Sequence, residues 1–171
     1  MQLETKDLII KKGEQKDWRD MYNNLWRHSE SAKYMLWKVT TSEEDAKARM
    51  ERTIAFEATQ PFTWLVYEKK SGKAIGFAGM TEIEPNVYED MGIAIGPAFT
   101  GKGYGKQILN ALSDFARDVL GAKKFVASCR TKNIASHNLQ MSCGFTYSHS
   151  EEKVDPRNGE VYTVECNYKN L

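Results

Sequence analysis

The 171-residue sequence predicts one α/β domain built around a mixed β-sheet. Segments with a helical apolar period alternate with segments whose apolar residues recur at every second position. Short glycine-containing loops in the first half predict hairpins and therefore antiparallel strands, whereas a long amphipathic segment at 108–120 permits a parallel crossover. The length suits a single domain that can bury a core and form a cleft.

The predicted elements follow the order β-α-α-β-β-β-α-β-α-β-β. Helices are indicated where apolar residues recur at three- and four-residue spacing, and strands where they alternate or cluster between turn residues. Acidic residues after Thr41 and Ser42 favour a helix start, and Gly121 favours a helix end. The predicted strands cover 3–11, 62–67, 74–80, 90–95, 125–129, 146–147 and 161–168; the helices cover 17–28, 41–60, 108–120 and 134–143.

Composition and charge exclude several classes of protein. Lys and Arg total 24 against 23 Asp and Glu, so no nucleic-acid or membrane partner is expected. Three cysteines without a C-x-x-C pair indicate neither a disulfide framework nor a metal site. The chain begins without an apolar leader and contains no run of about 20 apolar residues. We therefore expect a soluble, cytoplasmic protein.

A glycine-rich loop at 99–107 is the most informative segment. Gly101, Gly103 and Gly105 precede the 108–120 helix, and glycines at such a place bring backbone amides to an anion at a helix N-terminus. A phosphate is the expected ligand. The spacing fits neither the nucleoside-triphosphate P-loop nor the dinucleotide-binding loop. A simple tight turn is the alternative.

A second motif lies about thirty residues downstream, where Asn133 and Ser136 precede Gly144-Phe145. Together with Thr100–Gly105 it resembles the GNAT acetyltransferase superfamily, and the Asn-x-x-Ser spacing is most similar to the ribosomal-protein alanine N-acetyltransferases. The resemblance implies one GNAT domain over 1–171, with a mostly antiparallel sheet, a central splayed parallel strand pair and flanking helices. It also implies an acetyl-CoA-dependent N-acetyltransferase that needs no metal.

The resemblance also implies the residues that bind acetyl-CoA. The loop would hold the pyrophosphate through main-chain N–H groups, and the splayed strand would expose backbone to the pantetheine. Thr100 departs from the Arg or Gln common in the family, which removes a longer donor. Asn133 would contact the pantetheine or simply cap its helix. The implied set is Ile93, Ala94, Ile95, Thr100, Gly101, Lys102, Gly103, Tyr104, Gly105, Lys106, Asn133 and Ser136.

The catalytic residues follow from the same resemblance. Gln140 stands where many relatives carry a proton-donating tyrosine, so Ser136 is the candidate donor to the leaving sulfur; a serine bonded to helix backbone is the alternative. Asp90 and Glu82 are the candidate bases, with Glu89 and Glu84 as the alternatives beside them. Strand alternation lets only one of Glu89 and Asp90 face the cleft, and the sequence does not decide which.

The acceptor is the least determined part of the prediction. Tyr34 and Trp37 would line the acceptor site or would merely pack in the core. An α-amine is already about 10–15% neutral at pH 7, so a protein N-terminus needs little help from a base. A small amine (polyamine, amino acid or antibiotic) is the alternative acceptor, and a coenzyme A-binding module without activity is the alternative class. The expected assembly is a monomer or a homodimer.

Overall fold

The computed structural model describes all residues 1–171 as one eight-stranded mixed sheet with helices on both faces. The strands follow the spatial order β1-β2-β3-β4-β5-β6-β8-β7, and only β5 and β6 pair in parallel. This architecture confirms the predicted fold class. The strands are β1 Gln2–Glu4, β2 Leu8–Lys11, β3 Thr63–Glu68, β4 Ala74–Glu84, β5 Val87–Ile95, β6 Lys124–Arg130, β7 Thr146–Val154 and β8 Val161–Asn170.

Five α-helices cover the sheet: α1 Trp18–Met21, α2 Ser29–Ala32, α3 Glu43–Thr59, α4 Tyr104–Asp118 and α5 Ile134–Ser142. The predicted helix at 17–28 is not continuous, because α1 passes into a π-helical turn over Tyr22–Trp26. This turn buries two adjacent side chains, Leu25 and Trp26. A regular α-helix would separate neighbours by about 100°, so a wider turn suits this packing.

The two faces of the sheet carry separate cores. Ile108 and Leu112 of α4 pack against strand residues such as Val66 on one face. On the other face, Met50 of α3 joins a cluster with Leu65 of β3. Because successive strand residues point to opposite faces, β3 contributes to both cores and is buried along its whole length.

The parallel pair β5–β6 separates after a short paired segment, as the splay prediction requires. Pairing runs only from Val87 opposite Lys124 to Glu89 opposite Val126. Beyond this point β5 continues along β4 as far as Ile95, while β6 stays paired with β8 through Arg130. The sheet therefore contains a wedge-shaped gap between the C-terminal halves of two adjacent strands.

A β-bulge in β5 lies where the gap opens. Ala78 of β4 pairs with Ile93, but Met80 pairs with Asp90, so two residues of β5 face the single Gly79. Gly92 in this bulge has φ 108°, a conformation that favours glycine. A bulge bends its strand and increases the local twist, which accounts for the divergence of β5 from β6.

Several boundaries differ from those predicted: the predicted strand 3–11 is divided into β1 and β2, β4 and β5 are longer than predicted, and α2 was not predicted. Helix α4 begins at Tyr104, earlier than the predicted start at 108, because the helix includes Gly105 and its neighbours, which resemble a loop in sequence. Strand β7 extends to Val154 and is exposed throughout, since it forms the sheet edge beside β8. None of the helices combines the length and apolar character needed to cross a bilayer.

Candidate functional site

A cavity of about 560 Å³ fills the gap between β5 and β6; we call it the gap cavity. Its size falls within the roughly 300–1,000 Å³ of small-molecule sites. Ile93 and Ile95 of β5 form one wall, Ser128–Arg130 of β6 another, and the N-terminal residues of α4 and α5 close the ends. The splayed strands thus bring the glycine loop and the Asn133–Ser136 motif to one site.

The glycine loop has the geometry of an anion site. Gly101 and Gly103 have φ 76° and 77°, and a Cβ added to either would meet no atom within 4 Å. Gly103 is the N-cap of α4, and no side chain caps this helix. Backbone N–H groups in the first helical turn therefore lack a side-chain partner beside open space. Such an arrangement fits a phosphate group.

The side chains of the glycine loop mostly make contacts within the protein. Lys102 does not line the gap cavity, and its Nζ lies 3.3 Å from Glu68. The Tyr104 hydroxyl donates to the same carboxylate at 2.7 Å. Thr100 lines the cavity, but its hydroxyl donates to the Pro97 carbonyl at 2.9 Å. These contacts hold the loop in shape. The groups of this loop that remain free to bind an anion are therefore mainly main-chain N–H groups.

Most of the other residues predicted to bind acetyl-CoA line the gap cavity. Ile93, Ile95, Lys106 and Asn133 line the gap cavity. Ala94 does not, because its side chain belongs to the core on the opposite face. Asn133 caps α5, with its Oδ1 accepting from the Ser136 N–H at 3.2 Å. Capping is therefore observed, while the Asn133 Nδ2 makes no hydrogen bond.

Ser136 lies on the cavity wall at the end of a hydrogen-bonded network. Its Oγ accepts from Gln140 Nε2 at 3.3 Å, and no backbone group binds this hydroxyl. Gln140 Oε1 in turn accepts from Asn167 Nδ2 at 2.7 Å. The same Asn167 amide donates to Glu165 Oε1 at 3.0 Å. Gln140 and Asn167 are almost completely buried, so the network is protected from water.

The Glu165 carboxylate determines which groups donate and which accept hydrogen bonds along this network. Although burial acts to raise it, hydrogen bonds from Asn167 and His137 hold the pKa of Glu165 below its usual value. A carboxylate only accepts, so Asn167 must present its NH₂ group to it. Gln140 must then accept from Asn167 and donate to Ser136. The Ser136 hydroxyl proton is consequently not directed at Gln140, and the Cys129 sulfur lies within hydrogen-bonding reach of this hydroxyl.

The neighbouring thiol and imidazole are unsuited to nucleophilic chemistry. Burial and the Glu165 carboxylate raise the pKa of Cys129 to about 12. His137 is bonded through Nδ1 to Glu165 at 2.6 Å rather than to Ser136. Cys143 is buried, and burial raises its pKa as well. Neither thiol is therefore a candidate nucleophile, and His137 does not pair with Ser136.

The two candidate bases lie in different places. Asp90 lines the gap cavity, and its Oδ1 accepts from the Gly92 N–H at 2.8 Å. Burial, aided by the charge of Glu89, raises the pKa of Asp90 to about 7 despite this hydrogen bond. Glu82 is exposed, lines neither cavity of the site and accepts from the Asn86 N–H at 3.0 Å. The structure therefore brings only Asp90 to Ser136's cavity.

A second cavity, of about 590 Å³, lies beside α3 on the other side of the bulge; we call it the α3 cavity. Gly92 lines both cavities. The segment 33–42 between α2 and α3, here the α2–α3 loop, separates them. Tyr34 faces the gap cavity and Trp37 the α3 cavity, so the two predicted acceptor residues lie on opposite sides of this loop.

The β7–β8 turn holds the α2–α3 loop from outside. Arg157 donates to the carbonyls of Met35 and Trp37, at 3.2 Å each. Its guanidinium is also bound by Asp155, with the shorter contact at 2.7 Å. The buried Asp155 carboxylate lies 3.5 Å from Arg130 as well. Hydrogen bonds to Arg157 and the nearby Arg130 charge hold the pKa of Asp155 well below its usual value.

Several of these residues were not found from the sequence. Glu165 and Asn167 are two positions apart on β8, which places them on one face, but nothing in the sequence indicated that this face meets Gln140. Arg157 lies in the segment Asp155–Gly159, whose composition is typical of a turn, and nothing in the sequence indicates its partners, which lie about 120 residues earlier. Each of these contacts depends on tertiary packing rather than on a local pattern.

A family model described as an acetyltransferase (GNAT) domain matches residues 7–146. The chain, with its splayed sheet and glycine loop, belongs to the GNAT acetyltransferase family. N-alpha-acetyltransferase RimI of Mycobacterium tuberculosis is 34% identical over 92 residues, which is 52% of this chain and 56% of that protein. The alignment therefore covers little more than half of that relative's length.

Solved structures share the complete fold. A GNAT-family acetyltransferase from Bacillus anthracis has a TM-score of 0.84 at 20% identity, with 99% of this chain and 98% of that chain covered. Spermidine N-acetyltransferase from Vibrio cholerae, solved in complex with CoA and spermine, has a TM-score of 0.74 at 21% identity, with 97% and 96% covered. At these identities the likeness concerns the fold alone.

Proposed function

We propose that this protein transfers the acetyl group of acetyl-CoA directly to a primary amine, with a protein N-terminal α-amine as one candidate acceptor. The observation that carries the proposal is the gap cavity, where the uncapped N-terminus of α4, Ser136 and Asp90 line one space. Acetyl-CoA supplies the activated acetyl group as a thioester. The residues of the chain bind it, orient the reactants and manage the protons.

Binding is assigned chiefly to the backbone. The first-turn N–H groups of α4, with the αL residues Gly101 and Gly103, would hold the pyrophosphate. The half of β5 that no longer pairs with β6, around Ile93, would bind the pantetheine amides through its free backbone edge. The same edge would stabilise negative charge that develops on the thioester oxygen. The Thr100 hydroxyl is already bonded to Pro97, so this departure from the family pattern does not alter the backbone donors.

Ser136 and Asp90 are proposed to handle the two protons. The Ser136 hydroxyl, left free to donate by Gln140, would hydrogen-bond the departing thiolate sulfur. Asp90, with a pKa of about 7, would accept the amine proton directly or through water. Glu82 is not part of this proposal, because it lies outside both cavities. The α3 cavity would admit the amine, with Gly92 at the junction.

Two alternatives stay within the same fold. A module that binds coenzyme A without turnover would share the glycine loop but would have no use for the directed network behind Ser136. Acetylation of a small amine rather than a protein N-terminus would use the same machinery. An acceptor screen that follows thiol release from acetyl-CoA separates these, with peptides of varied first residue beside polyamines and amino acids.

The matched pair Ser136→Ala and Ser148→Ala tests the catalytic part. Ser136→Ala should lower kcat about 100-fold with little change in acetyl-CoA binding, since a positioned proton donor contributes about 10²–10⁴-fold. Ser148 is exposed on β7, so its replacement should leave kcat unchanged. Acetyl-CoA binding is measured by thermal shift. Absence of a shift in the wild type, or equal kcat in both variants, would contradict the proposal.

A further inference from the structure

The α3 cavity contains an arginine without an acidic partner. The Arg49 guanidinium lies between two indole rings, 4.7 Å from the Trp26 centroid and 4.6 Å from the Trp37 centroid. Its Nη1 donates to the Lys38 carbonyl at 3.2 Å and to Thr40 Oγ1 at 3.0 Å. The other two guanidinium nitrogens make no hydrogen bond, and no carboxylate forms an ion pair with Arg49.

A second arginine adds to this positive charge. Arg52, three residues later on α3, lines the same cavity and makes neither an ion pair nor a hydrogen bond. Like charges at this spacing repel each other. Burial, followed by the Arg52 charge, lowers the pKa of Arg49 to about 10, so Arg49 remains charged at neutral pH.

The acids on the cavity wall do not neutralise the arginines. Glu57, near the C-terminal end of α3, is buried and accepts from the Gly13 N–H at 2.8 Å. Asp45 lies in the first turn of α3, with Thr41 Oγ1 at 3.5 Å. Arg49 is partly buried and Arg52 is exposed at the cavity, and neither forms an ion pair, so their positive charge is left unbalanced there and suits an anionic ligand.

The rest of the α3 cavity is largely apolar. Val39 of the α2–α3 loop, Phe56 of α3, and Phe77 and Met91 near the bulge contribute to its walls. The Trp37 Nε1 is a buried donor without a partner, so the polar groups at this end of the cavity are mostly donors. The cavity therefore combines an apolar body with one donor-rich, positively charged end.

We propose that the α3 cavity selects an amine acceptor that carries a carboxylate on an apolar body, with the carboxylate bound by Arg49 and Arg52. This specificity rests on the proposed acetyl transfer. A guanidinium matches a carboxylate with two parallel hydrogen bonds, and the cavity walls would cover the apolar body. The amine would then point to Gly92. A polyamine, which is positive along its length, would be repelled by the arginines.

Matched acceptors test this specificity. Phenylalanine and methionine are compared with their carboxamides and with spermidine, by thiol release from acetyl-CoA. The acids should exceed their carboxamides about 10-fold or more in kcat/KM, the range of a charge-assisted hydrogen bond. Arg52→Gln should remove that preference, and its exposed position favours normal folding. The control Arg27→Gln lies outside both cavities and should retain the preference.

A binding measurement separates this proposal from the transferase itself. N-acetylphenylalanine and its amide cannot accept an acetyl group, yet each can be titrated while intrinsic tryptophan fluorescence is followed, since three of the four tryptophans line the α3 cavity. Tighter binding of the acid, lost in Arg52→Gln, supports the carboxylate site. Equal binding overturns it even if the enzyme acetylates other amines. Weaker acetyl-CoA binding by Arg52→Gln would also overturn it, by assigning the arginines to the cosubstrate.

Discussion

At the scale of single residues, environment gives two small polar side chains opposite tasks. Burial and the charge of the neighbouring Glu89 raise the pKa of the partly exposed Asp90 to about 7, which suits a base near neutral pH. Ser136 receives a hydrogen bond from Gln140, so its own proton is free to be donated. Neither property belongs to the residue type. Both arise from neighbours that the fold places around the gap cavity.

The isosteric change Asp90→Asn tests the role of the carboxyl. As pH falls through about 7, Asp90 takes up a proton and ceases to be a base, so the wild-type rate should decline on the acid side. Asp90→Asn should lower kcat and abolish this limb. The profile is measured with a weakly basic acceptor, so that titration of the amine itself does not obscure the result.

Stability provides an independent check on Asp90. Its folded pKa of about 7 lies above the unfolded value of about 3.9, so deprotonation opposes folding. The penalty is absent at low pH and grows as pH rises from about 4 to 7. The Tm advantage of Asp90→Asn should increase over the same interval and then level off. A Tm difference that is constant with pH would argue against the raised pKa.

At the scale of elements, local sequence patterns predicted the helices and the glycine loop, but they did not predict contacts between separate elements. The apolar stripe of α4 and the glycine loop were both found, because each is written in consecutive residues. The start of α4 was placed too late, since glycines read as a loop. The choice between Asp90 and Glu82 required knowledge of the β5 bulge and the strand face. The network from Glu165 to Ser136 joins two separate elements, β8 and α5.

The pair Gly103→Asp and Gly103→Asn tests the glycine loop. Both side chains tolerate the αL conformation comparatively well and have nearly the same size, and a Cβ here meets no atom within 4 Å. They differ in charge. Gly103→Asp should abolish the acetyl-CoA thermal shift, because its carboxylate would repel the phosphates, while Gly103→Asn should retain a weaker one. Equal loss in both variants would indicate strain rather than anion binding.

At the scale of the whole molecule, the last hairpin controls a loop near the start of the chain. Arg157 links the β7–β8 turn to the backbone of Met35 and Trp37, and this loop separates the two cavities. The turn itself was evident from Asp155-Pro156 and Gly159, but its partner was not. The arrangement makes the acceptor side of the site depend on a distant turn, whereas the glycine loop does not touch it.

Asp155→Asn should therefore affect the two cavities unequally. Weakening the Arg157 contact should raise KM for the acceptor several-fold and leave acetyl-CoA affinity unchanged, whereas Lys153→Gln, an exposed change in the same hairpin, should alter neither.

The pKa of Asp155 is held below its usual value, so its carboxylate stabilises the fold above about pH 4, and this contribution is lost on acidification. The Tm deficit of Asp155→Asn should accordingly be largest at neutral pH and narrow below about pH 4. A deficit that persists unchanged in acid would show that the Asp155 charge does not hold the turn, and the link to the α2–α3 loop would then rest on Arg157 alone.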